Sequence, residues 1–186
     1  MEKSLFQRWF GSPTTAIAPA QETTESLAHR GSAEAQFSLG LQYASGEGPA
    51  QDYAQAEQWY LKAAGQNHAL AHLNLGVMYA SGQGQPSDPA KSLLWIQKAA
   101  DLGDASAQFR LGEANHRAVR IGASPNGGQS RIDAYKWYRL AADQGYRGAE
   151  IACDSVNLHM TREEVVEATR RVAAFNAEIE RRTHSA

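Results

Sequence analysis

Residues 35 to 48 read Ala35-Gln36-Phe37-Ser38-Leu39-Gly40-Leu41-Gln42-Tyr43-Ala44-Ser45-Gly46-Glu47-Gly48, and 36 positions on the chain reads Ala71-His72-Leu73-Asn74-Leu75-Gly76-Val77-Met78-Tyr79-Ala80-Ser81-Gly82-Gln83-Gly84. The same offset relates Asp52 to Asp88, Trp59 to Trp95, and Ala63-Ala64 to Ala99-Ala100. A third copy opens at Ala107-Gln108-Phe109-x-Leu111-Gly112, again 36 residues on. Its second half carries Trp137-Tyr138 and Ala141-Ala142 at an offset of 42, so six extra residues precede it; Asp133 is expected at the start of its second helix. Self-similarity at this period is the mark of a repeat architecture, in which each unit buries its apolar face only against its neighbours. Half copies flank the array: Leu27 to Ala35 aligns with Ala63 to Ala71, and Gly148 to Cys153 opens a fourth unit that decays at Asp154, where Gly112 has its counterpart.

Each unit reads as two antiparallel helices. In the first helix of copy two, Ala71, Leu75 and Tyr79 lie four apart on one stripe, beside Ala69, Leu73, Gly76 and Ala80. The two stripes make a wide buried face. Ala71 and Gly76 are small enough for a neighbouring helix to come close. The second helix starts at an aspartate N-cap; Asp88-Pro89 also places proline in the first turn, where its missing N–H costs little. It ends near Gly103 or Gly145, which suit a left-handed cap. The 33 alanines of the chain favour helix. Between residues 33 and 118 only Val77 and Ile96 are β-branched, which nearly excludes a sheet.

The pattern Ala35-Gln36-Phe37-x-Leu39-Gly40-x-x-Tyr43-x-x-Gly46-x-Gly48, followed by Asp52, Ala56, Trp59-Tyr60 and Lys62-Ala63-Ala64, resembles the Sel-1-like repeat family, a relative of the tetratricopeptide repeats. The resemblance implies an all-α fold: a right-handed α/α superhelical solenoid of three to four helix-turn-helix repeats with a concave surface. It also implies a bacterial adaptor or scaffold that binds a partner protein or peptide and is not an enzyme. The chain divides into a flexible tail at 1–22, a solenoid at 23–158 and a C-terminal capping helix at 159–186. The repeats fall at 33–68, 69–104 and 105–146, with a partial one at 147–158. Thr161-x-x-Glu164 is a capping box that opens the last helix, with Val165, Val166, Thr169, Val172, Ala173, Phe175, Asn176 and Ile179 near one side.

The 186 residues carry a formal charge of -2, so no basic footprint for nucleic acid is present. The single cysteine excludes an internal disulfide framework and a multi-thiolate metal site. Cys153 aligns with Leu111 and is read as a buried structural thiol. His68 and His72 stand four apart, but no third ligand lies near them in sequence, and His72 aligns with Gln36 and Gln108 at a packed position. No metal and no cofactor is expected. No nucleophile–base pair follows from any spacing. Trp59, Trp95 and Trp137 keep repeat register and are read as inter-helix core. Gly127-Gly128 lacks the strand and helix of a phosphate cradle. Cysteine-rich members of the resembled family are linked to β-lactam binding, but they carry a disulfide in each repeat. A small-molecule or cell-wall enzyme is therefore the weakest alternative.

Gln7 and Arg8 interrupt the first apolar run, which falls short of the about 7–15 residues of a signal peptide. No window reaches the roughly 20 apolar residues of a membrane span. A cytoplasmic location is expected. Leu5, Phe6, Trp9 and Phe10 share a helical face that suits either partner docking or membrane-surface contact, the basis of an alternative membrane-proximal scaffold.

Binding is expected at the variable positions of the first helices, which line the concave face in tetratricopeptide-like solenoids. These are Glu34, Ser38, Leu41 and Gln42 in copy one, Leu70, Asn74, Val77 and Met78 in copy two, and Ser106, Arg110, Glu113 and Arg117 in copy three. Copy two offers apolar contact, with Met78 adaptable in shape, and copy three offers arginines for carboxylates. Copy three also diverges: Asn115 replaces the repeat tyrosine and Ala118 the loop glycine. The inserted stretch Val119 to Arg131 contains the turn signal Pro125-Asn126-Gly127-Gly128. It reads either as a recognition loop or as a tolerated insertion.

Overall fold

A chain rich in alanine and punctuated by glycine at fixed intervals folds as helices. The computed structural model describes residues 23–123 and 126–184, and no strand occurs among them. The order is α1 (Thr24–His29), α2 (Ala33–Ser45), α3 (Tyr53–Ala64), α4 (Ala69–Ser81), α5 (Pro89–Asp101), α6 (Ala105–Arg120), α7 (Gly127–Asp143), α8 (Ala149–Asn157) and α9 (Arg162–His184). The tail at 1–22, with Leu5 to Phe10, lies outside the described residues. The first helix of each repeat (α2, α4, α6) packs most extensively on the second (α3, α5, α7), and each second helix hands on to the next repeat. The result is an all-α repeat solenoid.

Capping follows the repeat register. Asp52 Oδ1 accepts from the Ala54 and Gln55 amides at 2.9 and 3.0 Å, and Asp88 Oδ1 from Lys91 at 3.0 Å. The first helices are capped one position apart from the repeat boundary by Ser32, His68 and Asp104. Gly46 and Gly82 end α2 and α4 in the left-handed region, at φ 78° and 72°.

A glycine-to-side-chain contact sets the helix spacing. A Cβ on Gly40 would lie 2.7 Å from the Tyr60 ring, on Gly76 2.6 Å from Ile96 Cγ1, and on Gly112 2.5 Å from the Tyr138 ring. Carbon atoms do not approach so closely, so only glycine lets the second helix seat there. In α8 the same register position is Asp154. The helix that follows α8 does not seat against it. Instead α9 packs along α7, joined by Arg131–Glu164 at 2.6 Å, Arg171–Asp133 at 2.8 Å and the edge-on rings of Trp137 and Phe175. The capping box forms in both directions: Thr161 N to Glu164 Oε2 at 2.9 Å and Glu164 N to Thr161 Oγ1 at 3.2 Å. The inner face of α9 runs through Ala168, Val172 and Phe175, whereas Val166, expected near it, is exposed.

Two expectations for copy three and one for copy two are corrected. The stretch 119–131 is not one loop: α6 runs on to Arg120 and α7 begins at Gly127, so most of the insertion is helical. Asp133 is not the cap. Asn126 caps α7, its Oδ1 accepting from Gln129 N at 3.3 Å, and Asp133 lies inside the helix paired with Arg171. Counting back seven residues from Trp137, the interval between Asp52 and Trp59, reaches Ser130 rather than Asp133. Met78, placed in the groove from sequence, is 3% exposed and packs in a core cluster with Phe37, Tyr60 and Leu75.

A second register device joins neighbouring repeats. Gln36 Nε2 donates to Ala28 O at 3.1 Å, while Gln66 Nε2 donates to Gln36 Oε1 at 2.8 Å and Gly31 O at 3.0 Å. Gln108 and Gln144 repeat the arrangement on Ala100 O and Gly103 O. In the middle copy the two positions are His72 and Leu102, and buried His72 Nδ1 has no hydrogen-bond partner. An orphaned buried acceptor is costly.

Two stability measurements check these contacts. Overpacking costs about 1–3 kcal/mol, more than the about 1 kcal/mol that alanine returns in helix propensity. Gly76→Ala is therefore expected to lower the urea midpoint, while Gly65→Ala, whose added Cβ meets only ordinary contacts beyond 3.4 Å, leaves it unchanged or higher. Leu102→Gln, which brings an amide to His72 Nδ1, is expected to raise stability by about 0.5–1.5 kcal/mol, the net worth of one hydrogen bond.

Candidate functional site

The loop glycine of copies one and two becomes Ala118 in copy three. Without a residue suited to positive φ at that point, α6 gains the turn that ends at Arg120. The left-handed glycine comes only at Gly122, with φ 65°. Helical spacing then brings Glu113, His116, Arg117 and Arg120 to neighbouring positions. With Ile121 and Tyr138 they line a cavity of about 380 Å³. A second cavity of about 250 Å³ shares His116 and Arg120, and is completed by Arg131 and His159 over Val119 and Val156.

The charges in this double cleft do not balance. Arg131 is held by Glu164 through two hydrogen bonds, at 2.6 and 3.2 Å. Each partner stabilises the ionised form of the other: the hydrogen bond to Glu164 raises the Arg131 pKa, and the Arg131 bond lowers that of Glu164. The guanidinium groups of Arg117 and Arg120 have no ion pair or hydrogen bond among the described residues, and Glu113 is the single carboxylate lining the first cavity. Burial, and then the neighbouring Arg120 and His159, push the His116 pKa down. Burial, and then Glu113, push the Tyr138 phenol up to about 12. At neutral pH the first cavity thus presents two guanidinium groups against the one carboxylate, with a neutral imidazole and an un-ionised phenol.

Repeat register distinguishes the Tyr138 phenol, which is buried at 3% exposure but lines the first cavity. Burial raises the pKa of the equivalent Tyr60, and the Asn74 side chain of the next repeat lowers it. For Tyr138 the corresponding residue of α8 is Ala152, which offers no such group.

Of the residues singled out from sequence, the cleft gathers Glu113 and Arg117. Arg110 is exposed on α6 outside both cavities. Leu41 and Leu70 are exposed at 42% and 44%. Glu34 is exposed and pairs with His68 Nε2 at 3.0 Å. Ser38, Gln42, Asn74 and Ser106 are half-buried, and Val77 packs against the core that contains Leu73 and Ile96. His116, Arg120, Tyr138 and His159 were missed. The available signal was the Gly-to-Ala change at 118, which extends the helix.

The remaining reactive groups are engaged in structure. Cys153 is buried, and burial raises its thiol to about 11. His68 caps α4, its Nδ1 accepting from Ala71 N at 3.3 Å, and stacks on Phe37; His72 packs against Trp95 with its ring tilted. Among the described residues no group of three His, Cys, Asp or Glu could hold a metal ion, and no helix is long and apolar enough to cross a membrane.

The Sel1 repeat profile matches residues 33–68, 69–104 and 105–146. A crystal structure of a Sel1 repeat protein from Oxalobacter formigenes is similar, with 32% identity, a TM-score of 0.60, and coverage of 71% of this chain and 95% of that one. So is c5321, a protective antigen present in uropathogenic Escherichia coli strains that displays an SLR fold. It has 33% identity and a TM-score of 0.60, with coverage of 81% of this chain. The match spans about a third of c5321, 32% of its length. No curated protein matches the chain.

One buried and one half-buried imidazole predict a pH response. The pKa values of His72 and His116 lie below the ordinary 6.5, burial being the largest cause in each. The unfolded chain takes up these protons first, so stability holds above pH 6.5 and falls as pH drops through the window below it. Urea melts between pH 6.5 and about 5, above the carboxylate range, are expected to show this loss, and His72→Gln with His116→Gln to flatten it.

Proposed function

The chain belongs to the Sel1 repeat family, and from that premise we propose that it is a scaffold or adaptor that binds a partner protein or peptide. The observation that carries the reading is variation at exposed and half-buried register positions over a constant core. Leu41, Val77 and Glu113 occupy one such position, and Glu34, Leu70 and Ser106 another. Their inward neighbours Leu39, Leu75 and Leu111 are identical and buried. A common frame that presents different chemistry in each copy is suited to reading a partner surface. Arg110 and Arg117 add charge to the same row of helices.

A binding role accounts for the site better than catalysis does. The one thiol stays protonated, and the cleft holds cations, neutral donors and the Glu113 carboxylate, with no activated nucleophile. A single buried, unpaired cysteine suits a reducing compartment, and we place the protein in the cytoplasm of a bacterium, the source of both solved relatives.

Cross-linking pull-down tests the reading. The intact chain is expected to recover a discrete partner, and Leu41→Glu with Leu70→Glu and Arg110→Glu to weaken recovery about ten-fold, a loss of about 1.4 kcal/mol, with unchanged helical circular dichroism. Full recovery by the folded triple variant would remove the first-helix surface from the account.

A further inference from the structure

We propose that the double cleft at the end of α6 takes an acidic segment of the partner, with a carboxylate held by Arg120 and Arg117. This deepens the scaffold reading and rests on it. Arg120 lines both cavities, and neither it nor Arg117 has an ion pair among the described residues. Glu113 offsets one of the two charges in the first cavity, and Glu164 offsets Arg131 in the second. Positive charge therefore remains uncompensated at the Arg120 divide. A guanidinium fork matches the two oxygens of a carboxylate, and both bonds are charge-assisted.

The rest of the cleft fits the same occupant. Tyr138 keeps its proton and supplies a neutral donor beside Glu113 and Arg117. Ile121 is 69% exposed on the rim, and Val119 and Val156 line the second cavity. An extended peptide in which acidic residues alternate with aliphatic ones would place carboxylates on the arginines and side chains on these apolar surfaces. A bare anion would use only the first of these features.

The feature is particular to copy three. In copies one and two the helix stops at Gly46 and Gly82, before any counterpart of Arg120. The added turn supplies Arg120 and Ile121 together, so charge and rim arise from one change in the repeat.

Fluorescence anisotropy on the full chain tests the proposal. The probe is a fluorescein-labelled peptide alternating Asp or Glu with Ile or Leu. Its control has Asn and Gln in place of the acids. Saturable binding of the acidic peptide is expected, with the amide peptide at least about ten-fold weaker, and binding should weaken as salt rises. Arg120→Glu is expected to weaken it at least about ten-fold, whereas Lys91→Glu, an equal charge change at an exposed position of α5, leaves it within about two-fold. Arg117→Glu, read in parallel, should also weaken it and guards against a local effect of one substitution. Equal binding of the two peptides, indifference to Arg120→Glu, or displacement by equimolar inorganic phosphate would overturn the proposal. If the intact chain still recovers its partner by cross-linking after such a result, the scaffold reading stands and the acidic-segment assignment alone fails. Recovery of no partner would defeat the scaffold reading itself.

Discussion

Everything in this fold depends on a glycine that lets a side chain of the next helix lie directly on the backbone. Gly40, Gly76 and Gly112 each receive a residue of the second helix within a distance that a Cβ would forbid. The contact fixes how closely the two helices of a repeat approach. That spacing decides which neighbours can be alanine, and Ala63, Ala99 and Ala141 are fully buried as a result. Close packing of this kind tolerates little change in volume. Where the glycine becomes Asp154 the array ends, and α9 turns back along α7. One residue type thus accounts for both the repetition and its termination.

Function enters through departures from the same register. A second glycine, which stops the first helix of copies one and two, is Ala118 in copy three, and its loss adds the turn bearing Arg120. Asn74, which lowers the pKa of Tyr60, has Ala152 as its counterpart near Tyr138. The amide clasp formed by Gln36 and Gln66 has His72 and Leu102 in its place in the middle copy. The frame tolerates each change because neighbouring repeats hold it from both sides, in the nearest-neighbour manner of solenoids.

Much of this was legible in the sequence, for identifiable reasons. Helix pairing, caps at Asp52 and Asp88, and the capping box at Thr161 depend on local spacing, and local spacing is what a repeat displays three times. The double cleft was read only in part. Glu113 and Arg117, expected at the partner surface from their exposed stripe, fall in the cleft, while His116, Arg120 and Tyr138 depend on where α6 ends and on what α8 lacks. Met78 was misplaced because helical periodicity gives a face but does not say how wide the neighbouring helix makes the buried part. The stretch after Val119 reads as a loop from its Pro-Asn-Gly-Gly signal, yet that signal marks a turn only a few residues long. His72 could be placed at a packed position by alignment. Its orphaned nitrogen becomes visible only when Leu102 is seen in the place of Gln66 and Gln144.

The most direct test of the account is an amide chemical-shift map of the full chain titrated with an acidic-aliphatic peptide. The account predicts perturbations concentrated on the last two turns of α6, the middle of α7 around Tyr138, and the α8 residues near Val156, with α2 and α4 unmoved. Shifts centred on α2 and α4, with α6 silent beyond Glu113, would contradict it.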